Sequence, residues 1–135
     1  MHLIVCVDDR MGMSFGGRRQ SRDRVLCEDL IRTVEKSGAA LYLSPYSAPL
    51  FEACACLRVS ERYLEDAGEH DFCFCERELP LACAGGFDSV TLYRWNRHYP
   101  SDRKLELDLS RYRLVEATEF VGSSHDKITK EVYVK

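Results

Sequence analysis

Leu3-Ile4-Val5-Cys6-Val7, running into Asp8-Asp9-Arg10-Met11-Gly12-Met13, is the stretch on which the fold turns. Apolar side chains fill every position from Leu3 to Val7 without polar alternation, and a short run of that kind predicts a strand covered on both faces. Such a strand belongs in the middle of a sheet. Beyond it, residues 10–20 carry Gly12, Gly16 and Gly17 with neither a helical nor a strand period, which predicts a loop of more than ten residues. Loops of that length in a compact domain usually carry function.

The elements that follow fit around such a strand. Ser21 is placed to cap a helix in which Leu26, Leu30 and Val34 form one stripe, with Cys27 and Ile31 beside it, and Lys36 with Gly38 supplies a stop. Residues 39–43 read as a second buried strand, followed by Ser44-Pro45-Tyr46-Ser47, where Ser47 can cap a short helix through Ala53. Residues 57–59 are a short strand, 60–67 a capped helix ended by Gly68, and 71–76 a strand again. Alternating strands and helices predict parallel central pairings. Residues 89–95, 112–115 and 128–134 read as three strands with no useful helix between them, so they should pair antiparallel at one edge. The expected class is α/β: a mixed sheet, parallel in the middle and antiparallel towards the C-terminus, flanked by about four short helices in one domain over residues 1–135.

Composition narrows the function. With 135 residues, 45% of them hydrophobic and 30% charged, the chain can bury a core. Its net charge of −3 lacks the footprint of a dedicated nucleic-acid binder. No apolar run approaches the ~20 residues that span a bilayer, so no membrane partner is expected. Seven cysteines, an odd number with no secretory signal ahead of the first strand, imply free thiols in a reducing cytoplasm. Cys54-x-Cys56 and Cys73-x-Cys75 could supply four thiolates to zinc, but the spacing is wrong for a zinc knuckle, and small apolar residues filling one face of two strands is the preferred reading. His2, His70, His98 and His125 have no metal spacing and read as surface residues, so no metal is expected. The turn Ser123-Ser124-His125-Asp126-Lys127 reads as a polar hairpin and no more, and Trp95 as core.

Both ends of the chain resemble the dihydrofolate reductases. Residues 3–13 are similar to that family's first strand and the start of its mobile active-site loop. Asp88 to Trp95, then Tyr99-Pro100-Ser101-Asp102, then Asp108-Leu109-Ser110-Arg111-Tyr112-Arg113-Leu114-Val115, Glu119-Phe120 and Glu131-Val132-Tyr133 resemble its last three strands in order and spacing. The resemblance implies a dihydrofolate reductase-like fold and NADPH-dependent reduction of a pterin. The family's pterin-anchoring acid sits on the helix after the mobile loop, where Leu26-Cys27-Glu28-Asp29-Leu30 makes Asp29 the matching carboxylate, with Asp23 competing because the spacing from Gly12 is long. Cys6 falls where a small residue touches the pterin, Met13 and Ser14 fall on the gating loop, and Tyr93 falls where a hydroxyl supports the acid. Ser44, Tyr46 and Ser47 occupy the helix entrance that cradles NADPH phosphates, without the family's arginine. Phe74-Cys75-Glu76-Arg77 puts a carboxylate where the family has a glycine pair, and Gly85-Gly86 lies too far along to replace it. The chain is also short for the family, with the shortfall expected in the cofactor-binding middle.

The run Arg18-Arg19-Gln20-Ser21-Arg22-Asp23-Arg24 opposes the helix dipole unless an anion or a carboxylate lies nearby. It supports a second reading, a non-catalytic reductase-fold protein with a degenerate cofactor site. Arg18, Arg19, Asp23, Arg24, Tyr46 and Arg94 would then hold a small anionic or nucleotide-like ligand.

Overall fold

The computed structural model describes residues 1–83 and 85–135. In chain order its elements are β1 (His2–Val7), β2 (Gly12–Phe15), β3 (Arg18–Arg19), α1 (Arg24–Ser37), β4 (Leu41–Leu43), β5 (Leu57–Val59), α2 (Tyr63–Asp66), β6 (Phe72–Cys75), β7 (Ser89–Arg94), β8 (Arg103–Lys104), β9 (Arg113–Phe120) and β10 (Ile128–Val134). Single 3-10 turns lie at Ala48–Phe51, Leu81–Cys83 and Leu109–Arg111.

Seven strands form the main sheet in the order β5-β4-β6-β1-β7-β10-β9. The pairings from β5 across to β7 are parallel, and β10 joins β7 and β9 antiparallel. β1 is central, as its unbroken apolar run requires. Leu3, Val5 and Val7 face a core with Met13, Phe87, Val90, Leu92 and Leu105, while Ile4 faces the other with Leu26, Leu30, Val34, Phe51 and Phe74. Trp95 is core, 4% exposed. Among the described residues only α1 is a helix of useful length. Its stripe of Leu26, Leu30 and Val34 is the buried face, and Gly38 at φ 76° closes it in the left-handed conformation expected of a C-terminal glycine.

Three local expectations are corrected. Residues 10–20 are not a loop: β2 and β3 pair as a hairpin around Gly16-Gly17, and β8 joins them in a second sheet. Both turn glycines have positive φ, 60° and 75°, which a two-residue hairpin turn of this kind demands. Met13 is therefore core, and the Ser14 hydroxyl donates to the Arg77 carbonyl. The helix begins at Arg24, and its cap is Asp23 rather than Ser21. Ser47 precedes a four-residue 3-10 turn and makes no capping bond there, because its hydroxyl is used elsewhere. No helix of the described residues is long and apolar enough to cross a membrane.

Candidate functional site

Two clefts border the α1 side and the carboxyl ends of the parallel strands. The first, of about 810 Å³, is walled by residues that follow the ends of β4, β5 and β6, namely Ser44, Glu61 and Glu76, with Ser14, Gly16 and Gly17 of the hairpin opposite. Crevices at strand ends are where open α/β sheets bind ligands, and this volume is within the usual range for small-molecule sites. The second, of about 510 Å³, lies between α1 and the Ala48–Phe51 turn. Cys27, Ile31, Pro49, Leu50 and Ala53 make its apolar wall, and Arg22, Asp23, Arg24, Ser123 and Ser124 its polar one.

At the floor of the first cleft, the Glu76 carboxylate is gripped from three directions. Arg19 donates to it twice, from Nε at 2.7 Å and from a terminal nitrogen at 3.0 Å, and the Ser47 hydroxyl donates at 2.7 Å. The Glu76 side chain is only 7% exposed and that of Arg19 23%, so this is a half-buried, bidentate pair, and the hydrogen bond to Glu76 raises the guanidinium's pKa further. Tyr46 completes the cluster. Its hydroxyl accepts from the Arg19 N–H at 2.9 Å, and its ring lies between two guanidiniums, Arg19 at 4.4 Å and Arg77 at 4.5 Å.

The remaining charges around this cleft nearly cancel. Arg62 pairs with Glu65 and Arg103 with Glu78 at the rim. Arg77 forms no ion pair among the described residues, while Glu61 has none and Asp102 accepts only from the Gly16 N–H. The cleft thus offers one uncompensated cation and two acceptor carboxylates.

Two of the four arginines of the run, Arg19 and Arg24, find carboxylates inside the chain. Besides Glu76 with Arg19, Arg24 pairs with Glu28, and Asp23 fills the α1 N-terminus. The Asp23 carboxylate accepts from the Val25 and Leu26 N–H groups, from the Ser123 and Ser124 N–H groups at 2.9 and 2.8 Å, and from the Ser124 hydroxyl, with His125 Nδ1 at 3.2 Å. Burial alone would raise its pKa, but these hydrogen bonds outweigh burial and hold it far below the usual carboxylate range. His125 is 4% exposed, not a surface residue: it stacks on Trp95 at 4.5 Å and meets the Tyr99 hydroxyl at 2.8 Å. Turn 123–127 is thus an anchor for the helix start, which its local sequence does not reveal. Asp8 forms a second such node, accepting from the Arg10, Gly12 and Tyr99 N–H groups and from Gln20, and these bonds lower its pKa against the effect of burial.

Asp29 lies apart from both clefts. One carboxylate oxygen accepts from the Tyr93 hydroxyl at 2.7 Å and from Lys130 Nζ at 3.0 Å, and Arg32 approaches the other at 3.4 Å. Lys130, 8% exposed on β10, also donates to Thr33. Burial, then the Asp29 charge, pushes the Tyr93 phenol far up, so it remains a donor. Cys6 is enclosed near Cys27 and Glu76, its thiol raised well above normal by burial first and the Glu76 charge second. Arg94 pairs with Glu131 and touches the Met11 sulfur, and Arg18 is exposed at the hairpin end; neither lines a cleft. Of the candidate residues, Ser14, Ser44 and Ser47 line the first cleft with Arg19 and Tyr46 behind them, and Asp23 and Arg24 line the second. Glu61, Glu76, Arg77 and Asp102 of the first cleft, and Asp8, Gln20, Tyr99, His125 and Lys130 of the other clusters, are members that sequence reasoning did not name as site residues.

Neither a known family model nor a curated protein matches the chain by sequence. Among solved structures it is similar to the dihydrofolate reductase from Enterococcus faecalis complexed with NADP(H) and RAB-propyl, at a TM-score of 0.60 over 98% of this chain and 94% of that one. The fold is dihydrofolate reductase-like. At 12% identity the likeness is one of fold alone.

A nicotinamide dinucleotide fits this cleft poorly. The end of β6 carries the half-buried Glu76–Arg19 pair where close backbone approach would need glycine. Arg62, Arg77 and Arg103 line the cleft against the carboxylates of Glu61, Glu65, Glu76, Glu78 and Asp102, and this acidic excess opposes a cofactor carrying several phosphates.

Proposed function

We propose that this chain is a reductase-fold binding protein that does not reduce pterins, and that its first cleft takes a small nucleotide-like ligand bearing one anionic group. The observation that carries the reading is the Glu76–Arg19 pair at the end of β6, beside which Arg77, stacked on Tyr46, is the cleft-lining arginine with no ion pair among the described residues. Glu61 and Asp102 would accept from sugar hydroxyls or exocyclic amines, and Gly16-Gly17 with Ser44 would form the opposite walls. Arg62 and Arg103 at the rim hold exposed partners, and pairs of that kind contribute so little that either arginine can turn to the same anion.

The pterin reductase reading keeps one specific support, the Tyr93 hydroxyl on Asp29, which the family resemblance implies. Against it, Lys130 pairs with the same carboxylate oxygen at 3.0 Å, which favours the ionised carboxylate over a proton donor. The free thiols suit a cytoplasmic setting, and a small molecule, not a nucleic acid or a membrane, is the partner this reading names.

The test mixes protein, NADPH and dihydrofolate, follows the nicotinamide absorbance, and separately titrates a nucleoside 5′-monophosphate and NADPH by calorimetry. The expected result is no absorbance loss and a monophosphate bound at least as tightly as NADPH. Turnover that disappears in Asp29→Asn, or an absence of monophosphate binding, overturns the reading.

A further inference from the structure

The turn between the Ala48–Phe51 segment and β5 brings two thiols together, Cys54 Sγ and Cys56 Sγ, 3.1 Å apart. It is not the extended strand the Cys-x-Cys spacing suggested, and no third metal ligand joins the pair among the described residues. The other Cys-x-Cys pair behaves differently. On β6, the Cys73 sulfur points to the Tyr63 carbonyl and the Cys75 sulfur to the Glu78 carbonyl at 2.7 Å, each partnered by backbone.

We propose that Cys54 and Cys56 form a dithiol–disulfide site that reacts with low-molecular-weight disulfides. The two thiols divide the work by exposure. Cys56 is part-exposed and meets the reagent first, whereas Cys54 is 6% exposed, and burial with the hydrogen bond to Cys56 pushes its thiol up to about 11. In the first step the Cys56 thiolate attacks the small disulfide, one S–S bond breaks as a mixed disulfide forms, and one small thiolate leaves. In the second, Cys54 loses its proton and attacks the Cys56 sulfur, forming the Cys54–Cys56 bond and expelling the second small thiol. Two protein thiols are oxidised and one disulfide is reduced to two thiols.

The position links this chemistry to the second cleft. The Cys54 N–H bonds the Phe51 carbonyl at 2.9 Å, the Cys56 carbonyl accepts from the Leu41 N–H at 3.0 Å, and Leu50 and Ala53 of the same segment line the cleft wall. Closing the bond fixes the turn next to that wall.

Reduced protein is incubated with glutathione disulfide, quenched with acid and alkylating agent, and read by intact mass and peptide mapping. The wild type should lose two hydrogens with a Cys54–Cys56 link ahead of any bond among the other five thiols. Cys54→Ala should stop at a glutathione adduct on Cys56, and Cys56→Ser should give neither. A wild type that keeps all seven thiols, links a different pair first, or accumulates a stable glutathione adduct on Cys56 overturns the proposal. If Cys54→Ala fails to fold, Cys56→Ser decides: persistence of the two-hydrogen loss in that variant overturns it equally.

Discussion

The end of β6 and the start of α1 each bury one carboxylate, and the two are held by different kinds of donor. Asp23 is held mainly by N–H and hydroxyl donors of its own helix and of a turn a hundred residues away. Glu76 is held by a guanidinium and a hydroxyl. The first arrangement is closed, with every carboxylate lone pair directed at the fold. The second is open on one side, because the Tyr46 ring that backs Arg19 also carries Arg77 at the cleft. An internal carboxylate can thus serve as a keystone in one place and as the floor of a binding site in another.

That contrast predicts unequal costs. Asp23→Ala should be the most damaging single change, about 3 kcal/mol or more, because it removes a cap and strands buried donors of turn 123–127 together with His125; urea unfolding measures it. Glu76→Ala should cost about 2 kcal/mol, less because Arg19 is 23% exposed and can recover water, and a loss equal to that of Asp23→Ala would erase the distinction. Gly17→Ala should cost about 1 kcal/mol from its positive φ alone, since the space around it is open. Tyr93→Phe should cost about 1 kcal/mol and leave ligand binding in the first cleft unchanged.

Acid sharpens the same comparison. The pKa of Asp23 is depressed in the folded state, so its contribution is complete above the unfolded value near 4 and is lost as pH falls from there towards the folded value. Asp8 acts in the same direction. The urea midpoint of the wild type should fall steeply below about pH 4, and Asp23→Asn should show a shallower fall from a lower starting point.

Much of the scaffold was readable because it depends on local pattern. The unbroken run of β1 gave its central place, and the Leu26, Leu30, Val34 stripe gave the buried face of α1. The cap was misplaced from Asp23 to Ser21 because both residues are good caps. What selects Asp23 is the pair of N–H groups from Ser123 and Ser124, which local sequence does not show. The hairpin was missed although Gly16-Gly17 is a two-residue turn signal, since its strands are four and two residues long. The site was legible in part. Glu76 was recognisable as a carboxylate in a glycine position, but its pairing with Arg19 spans 57 positions, and Lys130 beside Asp29 reads in sequence as an ordinary strand lysine.

The most direct measurement is calorimetric titration of the wild type and of Arg77→Ala with a nucleoside 5′-monophosphate and with NADPH. The monophosphate should bind the wild type and weaken about tenfold in Arg77→Ala, the equivalent of one lost charge-assisted contact, with NADPH binding no tighter. NADPH bound more tightly than the monophosphate, with Arg77→Ala indifferent to both, would contradict a cleft whose floor is closed by Glu76 and Arg19.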